Sequence, residues 1–411
     1  MEKYSVTKLS NGTTIVSESI PYVKSFSLGF WFNVGTRDEN SKNNGISHFI
    51  EHMLFKGTKK RSARRISEEI ESYGGYLNAF TSKEHTCYYS RGLTKNLSRT
   101  FGILSDMIQN PLFRESHIKK EAGVVIDELR DIHDNPEELI FDKFEEVIFS
   151  GNPLSYPIIG TEGNINKFNS GELQKYHWNN YNTGNLLIVA SGAVEHSELV
   201  KLAERNIRKC KPGSEHNREK FYRKNVNDLV IEKDFQQVHS IIGRSTIGLK
   251  NKKRIQVKIL STMLGEGSSS RLFQAVREKL GITYQINSFL NSYQDVSTFG
   301  VYFSTNGKQA DRVMDIVVKE FLKMKEKKIT EKELNRVKEY IKGGMLLSLE
   351  STTNRMIRIA NSFLYFNRLV SLDEFLKKID TVTVDEITSI SNELLDEKKL
   401  SKVILTSNVA A

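Results

Sequence analysis

The chain has 411 residues with 60 Lys and Arg against 50 Asp and Glu. Its length suits two globular domains of about 200 residues each, and its apolar share of 38% excludes a disordered class. The net charge of +10 raises nucleic acid as a partner, but the charge is spread out. Its densest stretches, "KGTKKRSARR" (56–65) and "RNIRKCKPGSEHNREKFYRK" (205–224), interleave no aromatics at a base-stacking spacing, so both read as solvated and no nucleic-acid partner is expected.

In chain order, "SVTKLSNGTTIVSE" reads as a hairpin around Asn11-Gly12, without the apolar core of a leader peptide. "SFSLGFWFNVGT" follows as a buried strand. A helix carries "GISHFIEHMLFKGT" (45–58), and another, "ARRISEEIESYG", stops at Gly74-Gly75. Two strands around "YLNAFTS" and "TCYYSRGL" precede a helix near 97–109 that ends at Asn110-Pro111, and a long helix spans about 116–132.

Residues 211–228 read as a polar linker between a domain at 1–210 and one at 229–411. Beyond it the order of elements recurs. A strand, "VHSIIGRSTIG", is followed by the helices "RIQVKILSTMLG" and "SRLFQAVREKLG", a strand pair, "TYQINSFL" and "TFGVYFST", and a helix near 308–326. Thr330 with Glu333 has capping-box spacing and opens the next helix. Aligning "IEHMLFKGT" with "LSTMLGEGS" sets Met53 on Met263, Glu51 on Ser261 and His52 on Thr262. The two halves are related, and only the first keeps the chemical groups. "GEGSSSR" (265–271) lacks the lysine of a phosphate loop and reads as a turn. No run of about 18 apolar residues exists to span a membrane, and two cysteines without CxxC spacing exclude a disulfide framework. A soluble cytoplasmic protein without a membrane partner is expected.

The chemistry concentrates in residues 48–52. His48 and His52, four apart on a helix, share a face and can chelate one metal ion. Glu51 lies about 60° around the helix from His48 and about 100° from His52, close enough to take a proton from a metal-bound water. A catalytic zinc site needs a third protein ligand and an open position for water. The long helix offers Glu121, Glu128 and His117 on one face, and spacing does not choose among them.

His48, Glu51 and His52 form the inverted zincin pattern HxxEH, and the chain resembles the inverzincin peptidases, the family of pitrilysin, insulin-degrading enzyme and the mitochondrial processing peptidase. The likeness is to its short bacterial processing-protease-like members. It also rests on "IESYGGYLNAFTSKEHTCYY", on the Glu121 and Glu128 pair, and on "SSSRLFQAVREKLGITY". It implies an α+β fold of two homologous halves, each a mainly antiparallel sheet with helices on one face, clamping an extended peptide. By the same resemblance, His48, His52 and Glu128 hold one Zn2+ per chain, Glu51 is the general base and Glu121 supports the site. His117 then has no metal role. Asn78, Ala79 and Phe80 belong to the strand that pairs with substrate, and Arg277 and Tyr284 reach the substrate from the second half. Tyr284 would donate to the oxyanion. The resemblance further implies a zinc endopeptidase acting on unfolded peptides, with a homodimer or a hetero-oligomer with an inactive homologue as the assembly. The alternative role is a non-catalytic peptide-binding or assembly subunit.

Overall fold

Gly12, at φ +99°, sits in the turn that folds β1 (Lys3–Lys8) back on β2 (Thr14–Ser19), a conformation open chiefly to glycine. The structure is a computed structural model describing residues 3–213, 218–222, 226–326 and 329–406. In chain order β3 (Ser25–Phe32) leads to α1 (Ile46–Leu54), α2 (Ala63–Glu71), β4 (Tyr76–Thr81) and β5 (Thr86–Leu93). Helices α3 (Leu97–Gln109), α4 (Glu115–Asp134), α5 (Pro136–Ile148), α6 (Glu162–Ile165) and α7 (Ser170–Asn180) follow, then β6 (Leu186–Gly192) and α8 (His196–Asn206).

The strands form one sheet in the order β1-β2-β6-β3-β5-β4, antiparallel except where β2 runs parallel to β6. Alternation along β3 sends Phe30 to one face, against Phe101 of α3, and Trp31 to the other. At the end of this sheet, β4 pairs only with β5 among the described residues.

The second half repeats the plan. β7 (Leu229–Glu232), β8 (Val238–Ile247), α9 (Arg254–Gly265), a π-helical turn at Phe273–Glu278, β9 (Gln285–Ser292) and β10 (Val296–Thr305) precede a run of helices. These are α10 (Ala310–Glu326), α11 (Glu331–Ser348), α12 (Thr352–Phe366), α13 (Leu372–Asp380) and α14 (Val384–Leu394), and β11 (Ser401–Thr406) closes the chain. The sheet order is β7-β11-β8-β10-β9. Thr330 accepts from the N–H of Glu333 at 3.2 Å and opens α11 as its spacing predicts.

Neither compact unit is one stretch of sequence. Met1–Arg130, Tyr156–Glu219 and Ser348–Leu369 form the first, and Asp131–Ser155, Lys220–Leu347 and Val370–Ala411 the second. This partition differs from contiguous domains at 1–210 and 229–411. Met356, Ile359 and Ala360 of α12 pack on Trp31, Leu187 and Val189 of the first sheet, covering the face away from α3. Leu139, Ile140 and Phe144 of α5 pack on Ile241, Val403 and Leu405 of the second. The apolar face of each helix is legible in sequence, whereas the sheet that receives it is not. Within the expected linker, residues 214–217 and 223–225 lie outside the described residues. Arg218 is buried in the first unit and donates to both Asp38 carboxylate oxygens at 2.9 and 2.7 Å. No helix of the described residues is long and apolar enough to cross a membrane.

Candidate metal centre

Helix α1 is locked at its N-terminus before any chemistry begins. Gly45 precedes it at φ +97°, where a Cβ would meet the Ile159 carbonyl at 2.7 Å. The buried Glu39 carboxylate receives the N–H groups of Gly45 and Ser47 at 2.7 and 2.8 Å and the Asn44 amide at 3.0 Å. The two backbone N–H groups are among those that a helix start leaves unpaired. Burial pushes the Glu39 carboxyl up to about 7 against the pull of these donors.

With α1 fixed, His48 and His52 stand one turn apart with ring centroids 4.6 Å from each other. Helix α4 brings Glu128 to both: one oxygen lies 3.8 Å from His48 Nε2 and the other 3.6 Å from His52 Nε2. One ligand atom from each of the three lies within 4.8 Å of the other two. Ligands at tetrahedral zinc distances stand about 3.3 Å apart, so the donor set fits one ion with small side-chain adjustments. His117 does not join them among the described residues.

The environment sets the protonation of each ligand. Burial, with the nearby His52, pushes His48 down to about 3, which keeps its ring neutral and able to bind a metal. Its Nδ1 is buried without a hydrogen-bond partner among the described residues. His52 Nδ1 is bonded to Glu121 Oε1 at 2.9 Å, which leaves Nε2 to face Glu128. Burial works against a charge on His52, but the Glu121 hydrogen bond and the neighbouring carboxylates outweigh it and raise its pKa. Glu121 is buried, and Lys56 Nζ holds its second oxygen at 2.7 Å. Burial would raise the Glu121 carboxyl, but the bonds from His52 and Lys56 prevail and lower it.

Glu51 sits between this cluster and the edge strand. It is buried, its carboxyl is raised by burial despite the opposing pull of His52, and its Oε2 accepts from Thr81 Oγ1 of β4 at 3.0 Å. Asn78 and Phe80 lie on β4 between Tyr76 and Thr81; Ala79 N–H donates to the Asn78 side chain at 2.9 Å. In the second unit, the Arg277 guanidinium stands over the rings of Phe273 and Tyr284, at 4.9 and 5.2 Å, and Tyr284 is 78% exposed. Sequence reasoning missed Glu39, Lys56 and Thr81. Lys56 carries the signal of four-residue spacing from His52, and Thr81 shares its strand face with Ala79, but nothing periodic points to Glu39.

Comparison with known proteins finds relatives along nearly the whole chain. Residues 14–162 match the family described as insulinase, peptidase family M16, and residues 167–341 match the one described as the peptidase M16 inactive domain. The chain is similar to an "Uncharacterized zinc protease" of Rickettsia felis, 34% identical over 404 residues, which are 98% of each protein. Another relative is the "Uncharacterized zinc protease YmxG" of Bacillus subtilis, 33% identical over 387 residues and 94% of each. In fold the chain is similar to a protease from Helicobacter pylori, with a TM-score of 0.92 at 24% identity over 99% of this chain and 100% of that one.

Proposed function

The chain belongs to peptidase family M16, whose relatives here are named zinc proteases, and from that premise we propose that it is a zinc-dependent endopeptidase cutting extended or unfolded peptides. The observation that carries this reading is the convergence of His48, His52 and Glu128 beside a buried carboxylate, Glu51.

Zinc held by His48, His52 and Glu128, one per chain, would supply Lewis acidity toward the scissile carbonyl and the attacking water. Glu51 accepts a proton from that water at its carboxylate and returns it to the leaving amine. The burial that raises the Glu51 carboxyl suits a group that must both take and release a proton, and Thr81 fixes the carboxylate's direction. Glu121 holds His52 in the tautomer that presents Nε2, as carboxylate partners of metal-binding histidines do. The peptide lies along β4 at Asn78, Ala79 and Phe80, where an edge strand offers backbone groups that bind an extended chain of almost any sequence. The family resemblance assigns Arg277 to positioning and Tyr284 to donation toward the developing oxyanion. The working assembly is a homodimer.

The test is zinc stoichiometry together with cleavage of an unstructured fluorogenic peptide before and after chelation. One zinc per chain and cleavage abolished by chelator, then restored by zinc, is the expected result. Metal-independent cleavage would overturn the reading, and zinc binding without any cleavage would leave a peptide-binding subunit in its place.

A further inference from the structure

The two basic stretches that read as solvated in sequence meet in the first unit at a cavity of about 690 Å³, away from the histidine cluster. Lys59 comes from the first stretch, Lys209 and Lys211 from the second, and Lys175 from α7. Among the described residues, no Asp or Glu lines the cavity. Cys210, also in the lining, adds no charge, because burial pushes its thiol up to about 12. An aromatic group at the cavity arrives from elsewhere in the chain. Trp178, one turn beyond Lys175 on α7, is 57% exposed at the cavity, and Lys211 Nζ stands 5.6 Å from its ring centroid.

This wall is built rather than incidental. The side-chain oxygen of Gln109 accepts the N–H groups of Arg208 and Lys209 at 3.0 and 2.8 Å, while its amide donates to the carbonyls of Ser105 and Asn206 at 2.8 Å each. Thr183 N–H donates to the Lys211 carbonyl at 3.0 Å. Lys209 and Lys211 are further steered by Asn110 and Asn179, at 2.7 and 3.0 Å. By contrast, the Lys59 and Lys175 ammonium groups bond to nothing among the described residues. Phe113, buried in the same lining, holds φ at +42°, a strained conformation for a side chain of its size and one that collects at functional sites.

We propose that this cavity binds a nucleoside phosphate, its base stacked on Trp178 and its phosphates held by Lys59, Lys175, Lys209 and Lys211. The volume lies in the range of small-molecule sites, about 300 to 1,000 Å³, and suits one nucleotide. Four cations without an acid select an anion, and an exposed indole among them selects an anion that carries a flat ring. An anion with no ring leaves Trp178 unused, and a ring with no anion leaves four positive charges unopposed.

The experiment is calorimetric titration of the full zinc-loaded chain with ADP, pyrophosphate and adenosine. In parallel, ADP is followed by tryptophan fluorescence, since Trp31 is fully buried and Trp178 is the exposed reporter. ADP is expected to saturate the cavity and quench the fluorescence, binding more tightly than either fragment. Trp178→Leu should weaken ADP by about 5- to 100-fold, the scale of one base on one aromatic side chain, and leave pyrophosphate unchanged. The double variant Lys59→Glu/Lys175→Glu, both at exposed positions, should weaken ADP and pyrophosphate alike by about tenfold or more. Both variants should keep the zinc content of the parent, which shows that the first unit still folds. Absence of saturable ADP binding would overturn the proposal. So would pyrophosphate binding as tightly as ADP with Trp178→Leu silent, or a glutamate-rich peptide that displaces ADP and binds more tightly.

Discussion

Helices α1 and α9 occupy the same place in two related halves, and both reach the edge strand of their own sheet through a hydrogen bond from the same helix position. In the first unit, Glu51 accepts from Thr81 of β4 at 3.0 Å. In the second, Ser261, aligned with Glu51, is bonded to Ser288 of β9: its carbonyl accepts from the Ser288 hydroxyl at 2.7 Å and the two hydroxyls lie 3.3 Å apart. The surroundings then diverge. Lys258, aligned with His48, holds both oxygens of Glu266 at 2.8 Å, so its ammonium is paired within the unit. Around α1, the His48 Nδ1 finds no partner among the described residues, and Glu128 stands 3.8 Å from one imidazole and 3.6 Å from the other. One scaffold thus carries a cation already paired with a carboxylate, and the other two imidazoles beside a carboxylate, a donor set that suits a metal cation.

The sharpest way to break this comparison is to make α1 resemble α9 one residue at a time. Glu51→Gln keeps the helix and the Thr81 contact but removes the base, so peptide cleavage should fall by about 10²- to 10⁴-fold with zinc content unchanged. His52→Ala should lose zinc and cleavage together. If zinc leaves with Glu51→Gln as well, Glu51 is a ligand and not a base. Ser261→Ala, the matching change in the second unit, should leave cleavage within a factor of about two, because that position bears no chemistry.

Metal removal sharpens the contrast in stability. A ligand bound only by the folded state, at 100 to 1,000 times its dissociation constant, stabilises by about 3 to 4 kcal/mol. Chelation should therefore increase amide exchange in α1 and α4 while exchange in α9 holds. Equal loosening of both helices would show that the centre is not local to the first unit.

Acid distinguishes the turns that follow the two edge strands. His85, in the β4–β5 turn, is 9% exposed among Trp31, Phe80 and Tyr365, and burial, assisted by the Arg218 charge, pushes it down to about 4. The matching turn, Tyr293 to Asp295, has no histidine. A histidine lowered in the folded state binds fewer protons there than when unfolded. Its contribution is complete above the unfolded value of 6.5 and is lost as pH falls toward 4. The full loss is about 3 kcal/mol. His85→Phe should therefore gain on the parent by that amount between neutral pH and pH 4 in denaturant titrations. A gap that does not change with pH would show that His85 is protonated in the fold.

Next in size is Glu121, which has no equivalent in the closed pairing of Lys258 with Glu266. Glu121→Gln should weaken zinc affinity by about 10- to 100-fold, the usual effect of losing the partner that orients a metal-binding histidine. Glu128→Gln should be worse, and His117→Ala should leave zinc binding intact. If Glu121→Gln costs more zinc affinity than Glu128→Gln, the two glutamates exchange roles.

What the sequence made legible, and what it did not, follows the range of the interaction. His48 and His52 were readable because a helix fixes neighbours at four-residue spacing, and the recurrence of elements exposed the two sheets. Glu128 and Glu121 share a face of α4, so spacing left the choice between them open and only the resemblance made it; in the structure Glu128 stands near His48 and Glu121 bonds to His52. The exchange of α5 and α12 between the units was hidden, since an amphipathic helix declares an apolar face and not the sheet it covers. Glu39 was hidden for a related reason. It caps α1 from six residues before Gly45 through an irregular loop, and no period in sequence describes a loop.

The smallest expected effect tests whether the helix-to-strand hydrogen bond does the same work in both halves. Thr81→Val preserves the shape of β4 and removes the hydroxyl that donates to Glu51. The site is open enough at Thr81 for water to take over part of that role, so the loss is that of an ordinary hydrogen bond, about 1 kcal/mol, or about fivefold in rate. The change should appear in kcat rather than KM, because the bond aims the base and does not hold the peptide. Zinc content should stay at the parent value, since the Thr81 hydroxyl donates to Glu51, which lies outside the proposed ligand set. Ser288→Ala deletes the matching hydroxyl on β9, which is buried against α9. It should lower the stability of the second unit by a similar amount and leave kcat alone. If Thr81→Val changes stability but not kcat, Glu51 is aimed by its own helix. The bond from the edge strand would then be structural in both halves, and the difference between them would reduce to the side chains on α1.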